Sequence, residues 1–514
     1  MSQITKESND SPESSLSSTR SVSSFINDKN PIPQCAPGAS AAIGHIVENS
    51  IPLSIFPVAI DKHCIIFVGM PGRGKTHIAR RLMRYLDFFH AIPVQVFHIS
   101  DYRRRMCGAL KDSTWFDSSN AEAVAARNLC SLAALDDMTE FMNSNSQAVG
   151  ILDSTCSTHT RRLQCFDTLK QTGAKIMFVE VSNDDEKFLA KQCRHVTESS
   201  PDYQGIDTEA AVQDYMSRIA QYQQSFEPIS ETHPVESKWN FFKCDHSRQH
   251  FVVHRIHGFL PLKVVNFIMN LQTTFRPFYL TRHGQSEYNE VGKIGGDSGL
   301  SHHGLQYAHK LAEFVKTRIT RDSEGNDVPA RLWTSSLQRT IQTAQFIEQP
   351  TIFIKDQDDQ SIEYEWVQMR PRRWHHLDEV FAGACDGMTY EEIEEKFPEE
   401  FELRKVDKLA YRYPRGESYL DVIARLEPIV LEMERHREPL LIVGHQGILR
   451  IIYAFYMGLS RAEAPYVSIP LNTVYEMVPN AYACRLIKHI LYSPAKSLPK
   501  DGQDEPQVDD PPSH

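Results

Sequence analysis

Short apolar runs, many followed by a stretch with helical character, recur along most of this chain. In the first half such runs cover residues 64–68, 94–99, 148–153 and 175–179, and a helix-like stretch at 77–86 follows the first of them. A continuous apolar run of this length indicates a buried strand of a parallel sheet. Strands that alternate with helices predict a doubly wound α/β sheet.

The second half repeats this pattern. Strand-like runs lie at 278–281, 333–334 and 440–443, and a strand at 251–254 with an apolar helix at 264–271 leads into them. We therefore expect an α/β protein with two doubly wound sheets in tandem, each half being large enough for its own core. The predicted domains are 51–275 and 276–494. The serine-rich residues 1–50 and the acidic, proline-bearing residues 495–514 are expected to be disordered tails.

Composition excludes several classes of function. The chain of 514 residues has a net charge of -11, 41% hydrophobic and 24% charged residues, which is typical of a soluble globular protein and argues against duplex nucleic acid as a partner. No apolar run is long enough for a membrane span, and no secretory signal is evident. Ten scattered cysteines without a C-x-x-C pair indicate a reduced cytoplasmic location, with neither a zinc site nor a disulfide framework.

Two of the predicted strands in the second half end in a histidine. Arg282-His283-Gly284 follows one, and Gly444-His445 follows the other. An isolated Arg-His-Gly is more often a core histidine at a strand end. Parallel strands, however, bring their carboxyl ends together, so His283 and His445 could face one phosphate. An imidazole can attack a phosphoryl group while the guanidinium groups of Arg282 and Arg339 hold its oxygens.

A glycine-rich loop follows the first predicted strand. The spacing G-x-x-x-x-G-K-T between a strand and a helix is typical of a P-loop, in which backbone amides surround phosphates. Lys75 would reach the outer phosphates and Thr76 would offer its hydroxyl to Mg²⁺. The expected nucleotide-binding residues are Gly69, Met70, Pro71, Gly72, Arg73, Gly74, Lys75, Thr76 and His77.

Asp153 closes an apolar strand, where a P-loop enzyme keeps a carboxylate for metal or proton handling. Such an aspartate can also be a simple helix cap. Basic residues cluster nearby at 103–105, 127 and 161–162. Such charges usually solvate a surface, but a few of them would be needed to bind a phosphorylated acceptor next to the P-loop.

The chain resembles two known groups of enzymes. The strand-end histidines and residues 333–340 resemble the histidine phosphatase superfamily, also called phosphoglycerate-mutase-like. A P-loop half followed by such a phosphatase half resembles the 6-phosphofructo-2-kinase/fructose-2,6-bisphosphatase family from about residue 65 to 492. The segments that carry this second resemblance are 199–203, 294–301, 387–393 and 411–419.

The resemblance implies roles for residues of the second half. His283 would form a phosphohistidine, Glu379 would protonate the leaving sugar oxygen, and Arg282, Arg339 and His445 would surround the reacting phosphate. Asn289 matches the same pocket. Contacts to the sugar and its other phosphate would come from Gly295, Tyr390, Arg404, Lys408, Tyr419, Gln446 and Arg450. Tyr390 and Tyr419 could instead be ordinary half-buried tyrosines.

In the first half the resemblance implies ATP and Mg²⁺ as cofactors and fructose 6-phosphate as acceptor. Catalysis would involve Asp153, and the expected substrate residues are Arg103, Arg127, Thr155, Arg161, Arg218 and Tyr222. Three positions depart from the family pattern, because Thr197, Cys156 and Asn183 stand where the family has lysine, asparagine and cysteine.

Three hypotheses follow. The first is a bifunctional enzyme that makes and hydrolyses fructose 2,6-bisphosphate, with a homodimer as a candidate assembly. The second is a phosphatase whose first half is a nucleotide-binding regulatory module, and Thr197 separates these two. The third is a broad-specificity acid phosphatase, against which Arg404, Lys408 and Tyr419 argue because they resemble a dedicated sugar-bisphosphate pocket.

Overall fold

The computed structural model describes residues 61–272, 276–355, 361–479 and 484–493. The predictions for the two tails lie outside these residues. Within the described ranges, no helix combines the length and the apolar character that crossing a membrane requires.

Strands and helices alternate through the first half, as its apolar pattern predicts. Their bounds are β1 (His63–Val68), α1 (Lys75–His90), β2 (Val94–His98), α2 (Ile99–Cys107), α3 (Ala121–Ser144), β3 (Val149–Asp153), α4 (His159–Lys170), β4 (Lys175–Ser182), α5 (Glu186–Ser199), α6 (Thr208–Ser225), β5 (Asn240–Asp245), β6 (His250–His254) and α7 (Phe259–Asn270).

The second half has a similar alternation with additional strands. Its elements are β7 (Phe278–Arg282), α8 (Glu287–Glu290), α9 (His302–Phe314), β8 (Arg331–Thr334), α10 (Gln338–Ala344), β9 (Thr351–Lys355), β10 (Glu363–Val367), β11 (Pro371–Arg373), α11 (Tyr390–Lys396), α12 (Pro398–Val406), α13 (Tyr419–Arg435), β12 (Leu440–Gly444), α14 (Gln446–Met457), β13 (Thr473–Pro479) and β14 (Cys484–Ile490).

Two six-stranded sheets organise the chain, which confirms the predicted fold class. The first has the order β2-β3-β1-β4-β5-β6, parallel except for β6. The second has the order β11-β8-β12-β7-β13-β14, in which β13 and β14 are antiparallel. A separate hairpin of β9 and β10 precedes β11. The apolar pattern did not predict this hairpin or the two antiparallel strands.

Successive residues of the central strands face opposite sides of each sheet. In β1, Ile65 and Phe67 pack in a core with α1 and α7, whereas Cys64, Ile66 and Val68 pack in a second core with α3 and α4. In β12 the alternating residues likewise separate between a core with α13 and α14 and a core with α9. Helices therefore cover both faces of each sheet, as continuous apolar strands require.

One of these cores is shared by the two halves. The apolar residues of α1 and α7 form a single cluster with those of α13, α14 and the inner face of β12. Phe88 and Phe89 of α1 lie with ring centroids 5.7 and 5.2 Å from that of Phe455 in α14. Besides the cores within each half, the two halves therefore share one, because the P-loop helix packs directly on helices of the second half.

Candidate active sites

The register of β7 against β12 brings the two strand-end histidines together. Gly444 pairs with Arg282, and the His283 amide donates to the Gly444 carbonyl at 3.0 Å. The chains then turn, and the His283 and His445 rings lie with centroids 5.2 Å apart. The predicted meeting of these two residues therefore results directly from parallel pairing of their strands.

His283 is held as a neutral imidazole with a defined tautomer. Its Nδ1 lies 2.7 Å from the Gly284 carbonyl oxygen, which can only accept, so Nδ1 carries the proton and Nε2 carries the lone pair. Burial, together with the charges of Arg339 and Arg282, places the pKa of His283 well below its usual value. The side chain is therefore a neutral imidazole at neutral pH, with a lone pair available on Nε2.

Two arginines and one carboxyl group surround this imidazole. Burial lowers the pKa of Arg282 to about 10 while the nearby Glu379 charge opposes that shift, and burial also lowers the pKa of Arg339. Both guanidinium groups remain charged at neutral pH. They are anchored by carbonyl oxygens, Arg282 by Ile469 at 3.2 Å and Arg339 by Gly296 at 2.7 Å. The result is a rigid cationic pocket next to His283.

Glu379 is held at the start of α14. Its Oε1 accepts from the amides of Val380 at 3.0 Å and Gly447 at 3.1 Å. A Cβ atom at Gly447 would lie 2.7 Å from Glu379 Oε1 and 2.5 Å from Val380 Cγ2. Glycine is therefore required at this position for the carboxyl group to approach the helix N-terminus.

His445 lies behind the pocket, without exposed surface. Arg339 Nε donates to its Nδ1 at 3.3 Å, so Nε2 carries the proton and donates to Ser335 Oγ at 2.7 Å. Ser335 in turn lies 2.8 Å from Thr340 Oγ1. His445 thus packs against Arg339 and His283. It does not line the cavity wall.

A cavity of about 190 Å³ opens in front of His283. Among the residues predicted for this half, all but His445 line it: Arg282, His283, Asn289, Gly295, Arg339, Glu379, Tyr390, Arg404, Lys408, Tyr419, Gln446 and Arg450. Arg450 donates to the Tyr419 hydroxyl at 3.1 Å. Burial and the charges of Arg450 and Arg404 lower the pKa of Lys408 to about 8. The cavity therefore has a second group of cationic residues, separate from those around His283.

The P-loop of the first half wraps the start of α1. Gly74 caps this helix with a φ of 86°, and a Cβ at Gly69 would lie 2.4 Å from the Val181 carbonyl oxygen. Lys75 Nζ donates to the Met70 carbonyl at 2.6 Å, across the loop. Burial lowers the pKa of Lys75 to about 8, although the Asp153 charge opposes this shift. The loop has the tight turn and central lysine of a phosphate cradle.

Asp153 lies directly beside the loop at the end of β3. Thr76 Oγ1 donates to its Oδ2 at 2.6 Å, and His98 Nδ1 lies 2.8 Å from the same atom. Burial alone would raise the pKa of Asp153, but these two partners and the Lys75 charge hold it below its usual value. Thr76 and Asp153 thus present adjoining hard oxygen atoms that fit Mg²⁺. His98 is a site residue that the sequence did not reveal, since it lies on the neighbouring strand β2.

A cavity of about 700 Å³ extends from the P-loop. It is lined by all six predicted substrate residues, Arg103, Arg127, Thr155, Arg161, Arg218 and Tyr222, together with Asp153 and Pro71, Gly72, Gly74, Lys75, Thr76 and His77 of the loop. Of the other predicted loop residues, Gly69, Met70 and Arg73 do not line it, and Arg73 is buried against Asp184 at 3.4 Å. Arg104, from the predicted basic cluster at 103–105, lines the cavity as well, and so do Arg80 and His195, which did not stand out in the sequence.

The cations of this cavity are fixed by contacts within the protein. Arg103 forms a buried ion pair with Asp202, whose pKa burial alone would raise but which Arg103 and Arg104 lower to about 2. Arg127 donates to the Trp115 carbonyl, and the Arg218 guanidinium stacks 3.6 Å from the Phe116 ring centroid. The cavity therefore combines a phosphate-binding loop with a preorganised basic wall.

Comparison with known proteins decides the family. Residues 55–275 match the sequence model described as 6-phosphofructo-2-kinase, and residues 278–490 match the model described as histidine phosphatase superfamily (branch 1). A 6-phosphofructo-2-kinase/fructose-2,6-bisphosphatase of Aquarana catesbeiana is 38% identical over 422 residues, covering 82% of this chain and 83% of that protein. The chain belongs to the 6-phosphofructo-2-kinase/fructose-2,6-bisphosphatase family.

Other family members give the same result. The protein of that name from Gallus gallus is 36% identical over 463 residues, which cover 87% of this chain and 92% of the relative. 6-phosphofructo-2-kinase/fructose-2,6-bisphosphatase 1 of Homo sapiens is 38% identical over 422 residues, with 82% and 83% covered. Both halves of this chain thus match in the order that the family name describes.

The three departures from the 6-phosphofructo-2-kinase/fructose-2,6-bisphosphatase pattern occupy different places. Thr197 is buried, does not line the cavity, and donates to carbonyls of its own helix, those of Cys193 at 3.0 Å and Arg194 at 2.9 Å. Asn183 is buried and accepts from the Asp185 amide at 3.1 Å. Cys156 alone of the three lies in the cavity wall.

A further cluster of potential metal ligands already takes part in hydrogen bonds within the protein. His159, His233 and Glu236 have ligand atoms within 4.8 Å of one another. However, Glu236 accepts from the buried Arg162 at 2.7 Å, and His233 Nδ1 accepts from the Val235 amide at 3.3 Å. The guanidinium charge and these hydrogen bonds favour a structural role for the cluster in fixing the loop before β5.

Proposed function

We propose that this chain both synthesises and hydrolyses fructose 2,6-bisphosphate. The observation that carries the proposal is the presence, in one chain, of two complete phosphate-handling cavities: one built on a P-loop beside Asp153 and one built on a neutral His283 between two arginines. The family match covers both halves, which favours this bifunctional reading over a phosphatase with a regulatory first half.

In the hydrolytic reaction, His283 Nε2 attacks the 2-phosphate of fructose 2,6-bisphosphate and forms a phosphohistidine. Arg282 and Arg339 stabilise the charge that spreads over the transferring oxygens. Glu379 gives its proton to the leaving C2 oxygen, and the resulting carboxylate then activates the water that releases phosphate from His283. His445, hydrogen-bonded to Arg339, orients that guanidinium.

Substrate selection depends on the other end of the same cavity. The remaining phosphate of the substrate binds to Arg404, Lys408 and Arg450, and the sugar contacts Gly295, Tyr390, Tyr419 and Gln446. Asn289 belongs to the pocket of the reacting phosphate. A dedicated second cationic end argues against a broad-specificity acid phosphatase, because such an enzyme has no need to bind a second phosphate.

In the synthetic reaction, the P-loop binds the ATP phosphates and Lys75 neutralises them. Thr76 and Asp153 would hold Mg²⁺, which supplies charge stabilisation for phosphoryl transfer when bound. Arg103, Arg127, Arg161 and Arg218 bind fructose 6-phosphate, with Thr155 and Tyr222 contacting the sugar. A cytoplasmic location, a homodimer and the absence of nucleic-acid or membrane partners remain predictions.

The hydrolytic half of the proposal is tested by trapping the covalent intermediate. Fructose 2,6-bisphosphate labelled in the 2-phosphate is mixed with the protein and quenched, and the protein is examined for acid-labile label. We expect label on the unmodified protein and on a variant of the exposed His302, His302→Ala, but none on His283→Ala. Label that persists in His283→Ala would exclude His283 as the nucleophile.

A further inference from the structure

Two pairs of cysteine thiols lie in the first half, and neither has a part in the proposed reactions. The sulfur atoms of Cys156 and Cys165 are 3.9 Å apart, and those of Cys107 and Cys130 are 3.7 Å apart. All four are free thiols. Disulfide formation requires Cβ atoms about 3.5–4.5 Å apart and sulfurs at about 2.05 Å, so both pairs could close with small movements.

The first pair connects the wall of the P-loop cavity to helix α4. Cys156 lies in that wall with a positive φ of 37°, whereas Cys165 is fully buried on α4 and does not line the cavity. The neighbouring Thr155 carbonyl accepts from the Gly69 amide at 2.9 Å. The Cys156 carbonyl accepts from Arg162 at 3.1 Å. The loop that bears Cys156 is thus hydrogen-bonded to the start of the P-loop.

The two pairs differ in reactivity. A hydrogen bond from Cys165 lowers the pKa of Cys156 to about 7 against the effect of burial, and Ser154 and two arginines assist. Cys156 is also the thiol of this pair that lines the cavity, so we expect its thiolate to be the group that reacts with peroxides. In the second pair, burial and Cys107 raise the pKa of Cys130 to about 11. Cys130 therefore stays protonated at neutral pH, although the sulfurs of this pair are as close as those of the first.

We propose that Cys156 and Cys165 form a reversible disulfide that switches off the P-loop site, an inference that rests on the proposed kinase function of that site. The oxidant is hydrogen peroxide. The Cys156 thiolate attacks one peroxide oxygen, and the O–O bond breaks to give a sulfenic acid and one water after protonation. The Cys165 thiol then attacks the Cys156 sulfur and expels a second water. Two thiols lose two electrons and peroxide gains them.

The expected effect follows from the closure of the sulfur pair. Bringing the sulfurs from 3.9 Å to bonding distance draws Cys156 towards α4 and out of its present position in the wall. Thr155 and Asp153 precede it by one and three residues, so the same movement disturbs the hydrogen bond to Gly69 and the carboxylate beside Thr76. The second active site lies on another sheet and retains its geometry.

Peptide mapping after oxidation tests this directly. Trypsin places Cys130 and Cys156 in peptide 128–161, Cys165 in peptide 163–170 and Cys107 in peptide 106–111. We expect brief peroxide treatment to link 128–161 to 163–170 and not to 106–111. On the same samples, kinase activity should fall about ten-fold or more and return with dithiothreitol, while phosphatase activity stays constant.

Two variants provide the controls. Cys165→Ala removes the partner and the hydrogen bond that stabilises the thiolate, so it should match the reduced parent in basal kinase activity and resist the same peroxide dose. Cys107→Ser should behave like the parent. Loss of kinase activity without the 128–161/163–170 link, a link to 106–111, or a link without loss of activity would each overturn the proposal. A reduced protein without kinase activity would instead refute the proposed function, and the peptide map would still decide the disulfide.

Discussion

Single protons and single charges determine what each cavity can do. Gly284 fixes the His283 proton on Nδ1, and buried arginines keep the ring neutral. Covalent catalysis by histidine needs this state, because a protonated imidazole has no lone pair to donate. Lys75 and Lys408, by contrast, have pKa values lowered to about 8, so these lysines change charge close to physiological pH.

Lys408 should give the phosphatase a pH dependence in substrate binding. Because its pKa in the folded protein is lowered to about 8, its positive charge is present below that pH and lost above it. We expect the KM for fructose 2,6-bisphosphate to rise about ten-fold between pH 7 and 9, the effect of losing one charge-assisted contact. Lys408→Arg should remove most of this rise, since a guanidinium stays charged. Steady-state kinetics across this pH range measure the KM of the parent and of the variant. Identical pH profiles of KM in the two proteins would contradict the role of Lys408.

Thr197 should limit the kinase. Its hydroxyl is hydrogen-bonded to carbonyls of its own helix, and the side chain brings no charge to the cavity. The neighbouring Val196 does line the cavity wall. Thr197→Lys should raise kinase turnover about ten-fold, or about 1.4 kcal/mol of transition-state stabilisation, without changing the phosphatase. Thr197→Met is the matched control, because it adds length without charge. An unchanged rate in a parent that is already a fast kinase would show that another basic residue fills this role.

At the scale of elements, the junction of β12 and α14 assembles the phosphatase site. The strand ends at Gly444, His445 caps the helix, and the Gly447 amide holds Glu379. The free amides at a helix N-terminus can donate hydrogen bonds to a carboxyl oxygen and so fix its position. This junction therefore positions both His445, behind the pocket, and Glu379, the expected proton donor.

A single methyl group at this junction should abolish proton donation. Gly447→Ala places a Cβ within 2.7 Å of Glu379 Oε1, so the carboxyl group must move. We expect the phosphatase kcat to fall about 100-fold, at the low end of what a general acid contributes. Kinase activity should be unchanged. Gly299→Ala is the control, because its Cβ would meet only Gln342 at an ordinary 3.4 Å. Equal phosphatase rates in the two variants would contradict the placement of Glu379.

The elements that carry chemistry could be predicted from the sequence, whereas their packing could not. A continuous apolar run that ends in a polar or glycine-rich motif identifies a strand and the residues at its end. Strands β1, β3, β7 and β12 lie where this pattern predicts them. Strands β13 and β14 were not predicted because both are antiparallel additions to the sheet and no residue of β14 is fully buried, so β14 lacks a continuous apolar run. His98 was not predicted because its closeness to Asp153 depends on the order of the strands in the sheet. The local pattern of apolar residues carries no information on that order.

Across the whole molecule, helix α1 joins the two catalytic halves. It begins at the P-loop and packs along α13 and α14, which carry Tyr419, Gln446 and Arg450 of the other cavity. Apolar periodicity predicted this helix but could not show which surfaces it buries. The contact also contains buried polar groups, with Glu434 of α13 accepting from Arg81 of α1 and from the Tyr456 hydroxyl at 2.9 Å.

Breaking this buried pair should destabilise both halves together. Glu434→Ala leaves Arg81 buried without its partner, which costs about 3–5 kcal/mol of the free energy of unfolding. We expect a melting temperature several degrees lower and loss of both activities at the same temperature. Glu313→Ala, which removes an exposed pair with Lys310, should leave the melt unchanged. Separate transitions for the two activities would show that the shared core does not couple them.

A chain that both makes and destroys fructose 2,6-bisphosphate must have a working kinase, and this is the activity that Thr197 brings into question. The most direct measurement uses His283→Ala protein, in which the phosphatase cannot remove the product, incubated with ATP, Mg²⁺ and fructose 6-phosphate. We expect fructose 2,6-bisphosphate to accumulate with time, and we expect the addition of Lys75→Met to the same protein to stop this accumulation. If His283→Ala protein still binds ATP but forms no product, the chain is not a kinase and is instead a phosphatase with a nucleotide-binding regulatory half.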